Sequence, residues 1–312
     1  MSNKIAVIQT PPVLLDLEKS MARAVASIEE VAANGAELAV FPEAFLPGYP
    51  TWIWRLRPGA DMGLSGTIHR RLRENAVDIC KGDLAPLCEA AAAHNITVVM
   101  GMSEVDGEFS GSTLYNTVVV IGPDGRLLNR HRKLLATNPE RMVWGHGDAS
   151  GLRVIDTPVG RIGTLLCWEN YMPLSRFALY AQNLDILVAP TWDCGDGWLA
   201  SMRHIAREGG CWVVSLATAL NERDIPADFP DRDALFGEDG WVCDGDAVVM
   251  EPLGGPVAGP LHRKQEVLYA EIDASRAASA RRSLDVAGHY GRPDIFSLSV
   301  NRTSMQPVSF TG

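Results

Sequence analysis

The sequence has no C-x-x-C pair; its six cysteines, Cys80, Cys88, Cys167, Cys194, Cys211 and Cys243, are scattered. A chain of 312 residues buries a core without disulfide staples, so these read as reduced thiols of a cytoplasmic protein. No stretch supplies the ~20 uninterrupted apolar residues of a membrane span. The opening MSNKIAVIQTPP has one lysine and a short apolar run before Pro11, too little for a secretory leader. Basic residues are in deficit: 28 against 38 acidic ones leave a net charge of -10, which repels phosphate backbones and anionic lipid. Nucleic acid and membrane are therefore not expected as partners. Also missing are G-x-G-x-x-G, a Walker loop, H-E-x-x-H and G-x-S-x-G. Gly145-His146-Gly147 lacks the flanking strand and helix of a phosphate loop. The seven histidines are dispersed, only His131 falls near a candidate site, and no metal is expected.

What is present alternates. Ile5 to Ile8 is a short apolar strand, and Asp16 then precedes Leu17, Met21, Ala24, Val25, Ile28 and Val31 at helical spacing, with Asn34-Gly35 as the stop. Leu38 to Phe41 is a second strand, and a helix over about 84–94 leads into ITVVMG, the pattern of parallel pairing. Pro123-Asp124-Gly125 turns a hairpin between TVVVIG and RLLNRH, and a second hairpin turns at Thr157 to Gly160. RIGTLLC, a helix over about 173–183, DILVAP, a helix over about 198–208 and CWVVSLA restore the alternation. AVVMEP and EVLYAEID read as strands, and a final helix starts near Ala274. Residues 221–240 read as an Asp- and Pro-rich loop, and the chain after Phe296 as a weakly patterned tail. With no linker and no repeat, an α/β fold in a single domain over 1–312 is expected.

Open α/β sheets place ligands at strand ends. There the sequence puts Glu43 after LAVFP, Lys133 after RLLNRHR, and Cys167 at the close of RIGTLLC, before an expected helix start. Each has an ordinary structural explanation alone: a turn carboxylate, a solvated lysine, a core thiol. Together they make a base, a cation and a nucleophile.

Five separated blocks, FPEAFLPGYP, HRKLLATNPERMVWGHGDASGL, TPVGRIGTLLCWENYMPL, MRHIAREGGCWVVS and HYGRPDIFSL, resemble the nitrilase superfamily, and CWENYMPL looks like its true-nitrilase branch. The resemblance runs from about Lys4 to Leu298. It implies a four-layer α-β-β-α sandwich, a catalytic triad of Glu43, Lys133 and Cys167, and Glu140 as the second glutamate beyond the lysine. It also implies a homodimer or larger homo-oligomer, paired through helices around 172–182.

The chemistry implied is hydrolysis of an organic nitrile to acid and ammonia through a thioimidate and a thioester on Cys167, with no cofactor. The alternatives are an amidase or carbamoylase, a cyanide dihydratase and, from another class, a silent metabolite-binding protein. Tyr49, Trp144, Trp168 and Trp192 lie near these blocks and supply the apolar surface a ligand site requires; Asn116, Thr137, Pro190 and Thr191 are further pocket candidates. Trp212 and Trp241 read as core, whereas Trp52, Trp54 and Trp198 are open to either reading.

Overall fold

Neighbouring apolar residues along the short strands go to opposite faces, and that division stacks the chain in layers. The computed structural model describes residues 2–57, 59–237 and 240–308. The first half of the chain builds a sheet from β1 (Asn3–Ile8), β2 (Leu38–Val40), β3 (Thr97–Val105), β4 (Leu114–Ile121) and β5 (Leu127–Arg132). The second half builds another from β6 (Val154–Thr157), β7 (Gly160–Thr164), β8 (Ile186–Pro190), β9 (Trp212–Leu216), β10 (Ala219–Asn221), β11 (Trp241–Met250) and β12 (Pro256–His262). β13 (Val267–Ile272) then returns to pair antiparallel with β1. The sheet orders are β13-β1-β2-β3-β4-β5 and β10-β11-β9-β8-β7-β6, with β12 on β11.

Each sheet has a parallel centre, β1-β2-β3 and β7-β8-β9. Helices make the crossovers: α1 (Leu17–Ala33), α2 (Met62–Glu74) and α3 (Ala85–His94) in the first half, α4 (Pro173–Tyr180) and α5 (Asp196–Gly209) in the second. The short α6 (Arg232–Leu235) and α7 (Ser275–Arg281) follow. Ile5, Val7, Val40 and Val99 share one buried cluster with Ile162, Ile186, Val188 and Val214 of the other sheet. The alternate residues Ala6, Ile8, Ala39 and Val98 pack with Ala24, Ile28 and Leu87 of α1 and α3. Leu187, Ala189 and Val213 pack with Leu179, Met202 and Ile205 of α4 and α5. Strands covered on both faces read as continuous apolar runs, which is why they stood out in the sequence. The architecture is the expected α-β-β-α sandwich.

Three departures matter. The sequence reading assigned no element between Tyr49 and Leu84, where two 3-10 turns (Thr51–Trp54 and Ile79–Lys81) and α2 lie; only Ile68 and Leu72 of α2 are buried, and Gly63 and Gly66 dilute its pattern. The 221–240 segment holds a 3-10 turn and α6, pinned by buried Ile225, Phe229, Leu235 and Phe236 against Trp52; its Glu238 and Asp239 lie outside the described residues. The helix start expected just after Cys167, at Trp168 to Asn170, is a single 3-10 turn, Cys167–Tyr171, because Pro173 fixes a separate start for α4, the helix expected from about 173, with extended Met172 before it.

Candidate active site

Glu43, Lys133 and Cys167 each follow a strand directly or by a few residues, but not of the same sheet. Glu43 lies past β2 in a segment pressed onto β3, where Leu46 N donates to Gly101 O (3.2 Å) and Ser103 N to Leu46 O (2.7 Å). A Cβ on Gly101 would stand 2.2 Å from Pro42 O and 2.9 Å from Glu43 Cα, so only glycine allows this approach. Lys133 follows β5, its N–H donating to Asn116 O and its carbonyl accepting from Gly147 N, both 2.8 Å. Cys167 follows β7 of the second sheet with φ 48°, a left-handed conformation rare for a side-chain-bearing residue. Asn170 Nδ2 holds this strained corner by donating to Leu165 O (3.0 Å) and Cys167 O (2.9 Å).

The packed sheets bring these groups together. Lys133 Nζ donates to Glu43 Oε1 (2.9 Å) and to Glu140 Oε2 (2.8 Å), all three side chains being buried. A carboxylate oxygen of Glu43, one of Glu140 and the Cys167 sulfur lie within 4.8 Å of one another. Such a set can ligate a metal, but here the Lys133 ammonium is already the cation bonded to both carboxylates. Asn116 Nδ2 also donates to Glu43 Oε1 (2.7 Å), whereas Glu43 Oε2 has no partner among the described residues.

Burial lifts the Glu43 carboxyl to about 7, against the pull of Lys133 and with a push from Glu140. Burial, then the Glu43 charge, lifts the Cys167 thiol to about 12, although Lys133 and the Thr191 hydroxyl draw it down. Burial works against the Lys133 ammonium, but Glu43, Cys167 and Glu140 outweigh it and hold its pKa above the ordinary lysine value. The site thus favours the neutral thiol at Cys167, the opposite of the lowered thiol that a helix start beside it would favour.

A pocket of about 230 Å³ opens on this group, lined by Tyr49, Trp54, Thr137, Glu140, Cys167, Trp168, Trp192 and Asp193. Tyr49 stacks on Trp192, with ring centroids 4.3 Å apart and planes at 3°. Of the sequence candidates, Tyr49, Thr137, Trp168 and Trp192 reach the pocket, and Asn116 and Thr191 act on Glu43 and Cys167. Trp144 does not line it: buried behind Tyr49, edge to face at 5.6 Å, it donates from Nε1 to Ser103 Oγ (3.3 Å). Pro190 is likewise away from it, closing β8 against Leu216. Trp52, Trp198 and Trp212 are core; Trp241, expected there, is only half-buried where β11 begins.

Sequence reasoning left Trp54 undecided and passed over Asp193 and Glu169. Trp54 lies five residues beyond Tyr49 and donates to its hydroxyl (3.1 Å); Asp193 follows Trp192 directly. Glu169 is wholly buried. It accepts from the N–H of Leu134, next to Lys133, and of Leu166, next to Cys167, each at 2.6 Å, and both its oxygens lie 3.1 Å from His131 Nε2. Burial pushes its carboxyl up, but His131 and these N–H groups prevail and keep it below the usual range. The signal available was the glutamate in CWEN, two residues from the nucleophile candidate.

The carbon-nitrogen hydrolase family model matches residues 4–282. The chain is 38% identical to Nitrilase 3 of Arabidopsis thaliana, covering 98% of this chain and 89% of that protein. It is 39% identical to an aliphatic nitrilase of Sinorhizobium fredii (strain HH103), covering 98% and 97%. Its fold matches that of Saccharomyces cerevisiae Nit3, a member of branch 10 of the nitrilase superfamily, with a TM-score of 0.69 at 20% identity over 93% of this chain and 96% of that one. The chain belongs to the carbon-nitrogen hydrolase family and is an enzyme of the nitrilase superfamily. Among the described residues no helix is long and apolar enough to cross a membrane.

Proposed function

We propose that the protein is a nitrilase that converts an organic nitrile and two waters to a carboxylic acid and ammonia, with Cys167 as nucleophile, Glu43 as base, Lys133 as the stabilising cation and Glu140 as the group that holds Lys133. The observation that carries this reading is the unpartnered Glu43 Oε2 in the buried cluster that also holds the Cys167 sulfur. A nitrile carbon is a weak electrophile, so attack needs the thiolate, and a thiol held near 12 must lose its proton as the bond forms. Glu43 takes that proton, sulfur bonds to carbon, and the proton passes on from Glu43 to the nitrogen, which faces the Lys133 ammonium, to give a thioimidate and leave Glu43 ionised again. The Trp168 N–H, at the start of the 3-10 turn, is a second donor for the developing charge. Water activated by Glu43 adds, ammonia leaves, and the thioester is hydrolysed by a second water to release the acid and restore the thiol. A base near 7 suits repeated transfer in both directions. Lys133 supplies the positive charge, so no step calls for a metal or organic cofactor.

The similarity to nitrilases over nearly the whole chain supports the nitrile over the amide as substrate. An apolar cavity of about 150 Å³ admits benzene, so about 230 Å³ walled by Tyr49, Trp54, Trp168 and Trp192 suits a small apolar nitrile up to a single ring. The buried cluster that draws on both sheets also supports one domain working as a unit. The test is product analysis on benzonitrile, phenylacetonitrile, short aliphatic nitriles, cyanide and the matching amides. Acid and ammonia from an organic nitrile, lost in Cys167→Ala, is the expected result; turnover of amides or cyanide alone overturns the reading.

A further inference from the structure

Asp193 is the one pocket residue whose charge the reaction above does not use. Its Oδ2 accepts from Trp168 Nε1 (2.8 Å) and its Oδ1 from Cys194 N (2.9 Å), both neutral donors. Among the described residues no basic side chain pairs with it, and none of the pocket-lining residues is basic. Lys133 is committed to Glu43 and Glu140. Cys167 is 4% exposed at the floor, whereas Trp168, tied to Asp193, is 44% exposed. A nitrile directed at Cys167 therefore sends its far end out past Trp168 and Asp193.

We propose that Asp193 selects substrates by charge, admitting nitriles with a neutral or ammonium-bearing far end and rejecting those that end in a carboxylate; this rests on the nitrilase reading. Each Asp193 oxygen keeps a lone-pair direction free after its one bond, enough to accept from an ammonium. A carboxylate in the same place meets Asp193 with no basic pocket-lining side chain to offset the repulsion, which is strongest at low ionic strength. The stacked Tyr49 and Trp192 rings line the same pocket and offer apolar surface to the part of the substrate between its two ends.

The experiment compares kcat/KM for 4-aminobutyronitrile, pentanenitrile and 3-cyanopropanoate in the wild type and in Asp193→Asn, which keeps an acceptor for Trp168 and removes only the charge. The wild type is expected to prefer the ammonium substrate to the carboxylate at least tenfold, and that ratio to shrink at least fivefold in the variant. A second measurement does not depend on nitrile turnover: the rate of Cys167 alkylation by neutral iodoacetamide against anionic iodoacetate, read by mass spectrometry in both proteins. Iodoacetate should gain on iodoacetamide at least fivefold in Asp193→Asn. Failure of every nitrile to react, with the alkylation ratio shifting as expected, removes the nitrilase reading and leaves the charge filter standing. A ratio within twofold of wild type in the alkylation experiment, or in the nitrile series where turnover occurs, overturns the charge filter.

Discussion

The Tyr49 hydroxyl gives its hydrogen to Glu140, 2.7 Å away, because Trp54 Nε1 can only donate and occupies its acceptor side at 3.1 Å. One oxygen of Glu140 is thus fixed from the pocket wall and the other faces Lys133 Nζ and Thr137 N, at 2.8 Å each. Tyr49→Phe keeps the ring on Trp192 and deletes that bond. A hydrogen bond to a charged group contributes about 1.5–3 kcal/mol, so kcat should fall roughly tenfold or more with KM little changed. Steady-state kinetics would contradict this if KM alone moved.

The acid limb of activity should belong to the buried carboxylates. Glu43 is lifted to about 7, and only its ionised form accepts the thiol proton, so kcat/KM should rise with pH through that region. Glu43→Gln should be slower by roughly a hundredfold or more and should lose the limb. A wild-type profile that is level from about pH 5.5 to 8.5 would assign the base elsewhere.

Replacing Cys167, the proposed nucleophile, separates chemistry from folding. Cys167→Ala should give no measurable turnover while retaining the wild-type circular dichroism spectrum. Cys167→Ser should be nearly as inactive, since the site already holds the more acidic thiol at about 12 and an alcohol ionises far less. Preserved activity in either variant would point to another nucleophile.

Glu169 is expected to matter to stability and rate together. Removing a buried, multiply bonded carboxylate strands His131 and the N–H groups of Leu134 and Leu166, a loss of about 3–5 kcal/mol. Denaturant titration of Glu169→Ala should show the unfolding free energy falling by that much, with a lower midpoint, and Glu169→Gln should recover part of it. A midpoint unchanged in Glu169→Ala would mean the bonds contribute nothing net.

Trp192 sets the width of the pocket through its stack on Tyr49. Trp192→Ala should move the preference toward bulkier arylaliphatic nitriles, by roughly tenfold in relative kcat/KM if even half the transfer energy of the bulkier group is realised. Competition between phenylacetonitrile and a short aliphatic nitrile checks it; an unmoved ratio would place the size limit at Trp168 or Trp54 instead.

Strand-end positions made Glu43, Lys133 and Cys167 legible before any fold was in hand, and the apolar runs, buried on both faces, made the two sheets legible. Glu140 entered through resemblance alone, since nothing in its spacing distinguishes it from a surface turn glutamate. Trp144 and Pro190 looked like pocket residues because nearness along the chain does not say which side of Tyr49, or which end of β8, a side chain occupies. Asp193 and Glu169 depended on contacts across more than twenty residues, with Trp168 and with His131, which no local pattern records. α2 was missed because two buried residues do not make a helical stripe.

Glu43 and Lys133 follow strands of one sheet and Cys167 a strand of the other, so under the proposed mechanism the reacting distance is set by how the two sheets seat on each other. Activity is then a gauge of that seating: a slip of about an ångström between layers can cost a hundredfold in rate while every strand keeps its hydrogen-bonded neighbours. Warming or mild denaturant should silence the enzyme before its secondary structure melts, and core substitutions at Val99 or Val188, neither of which lines the pocket, should register first as lost turnover.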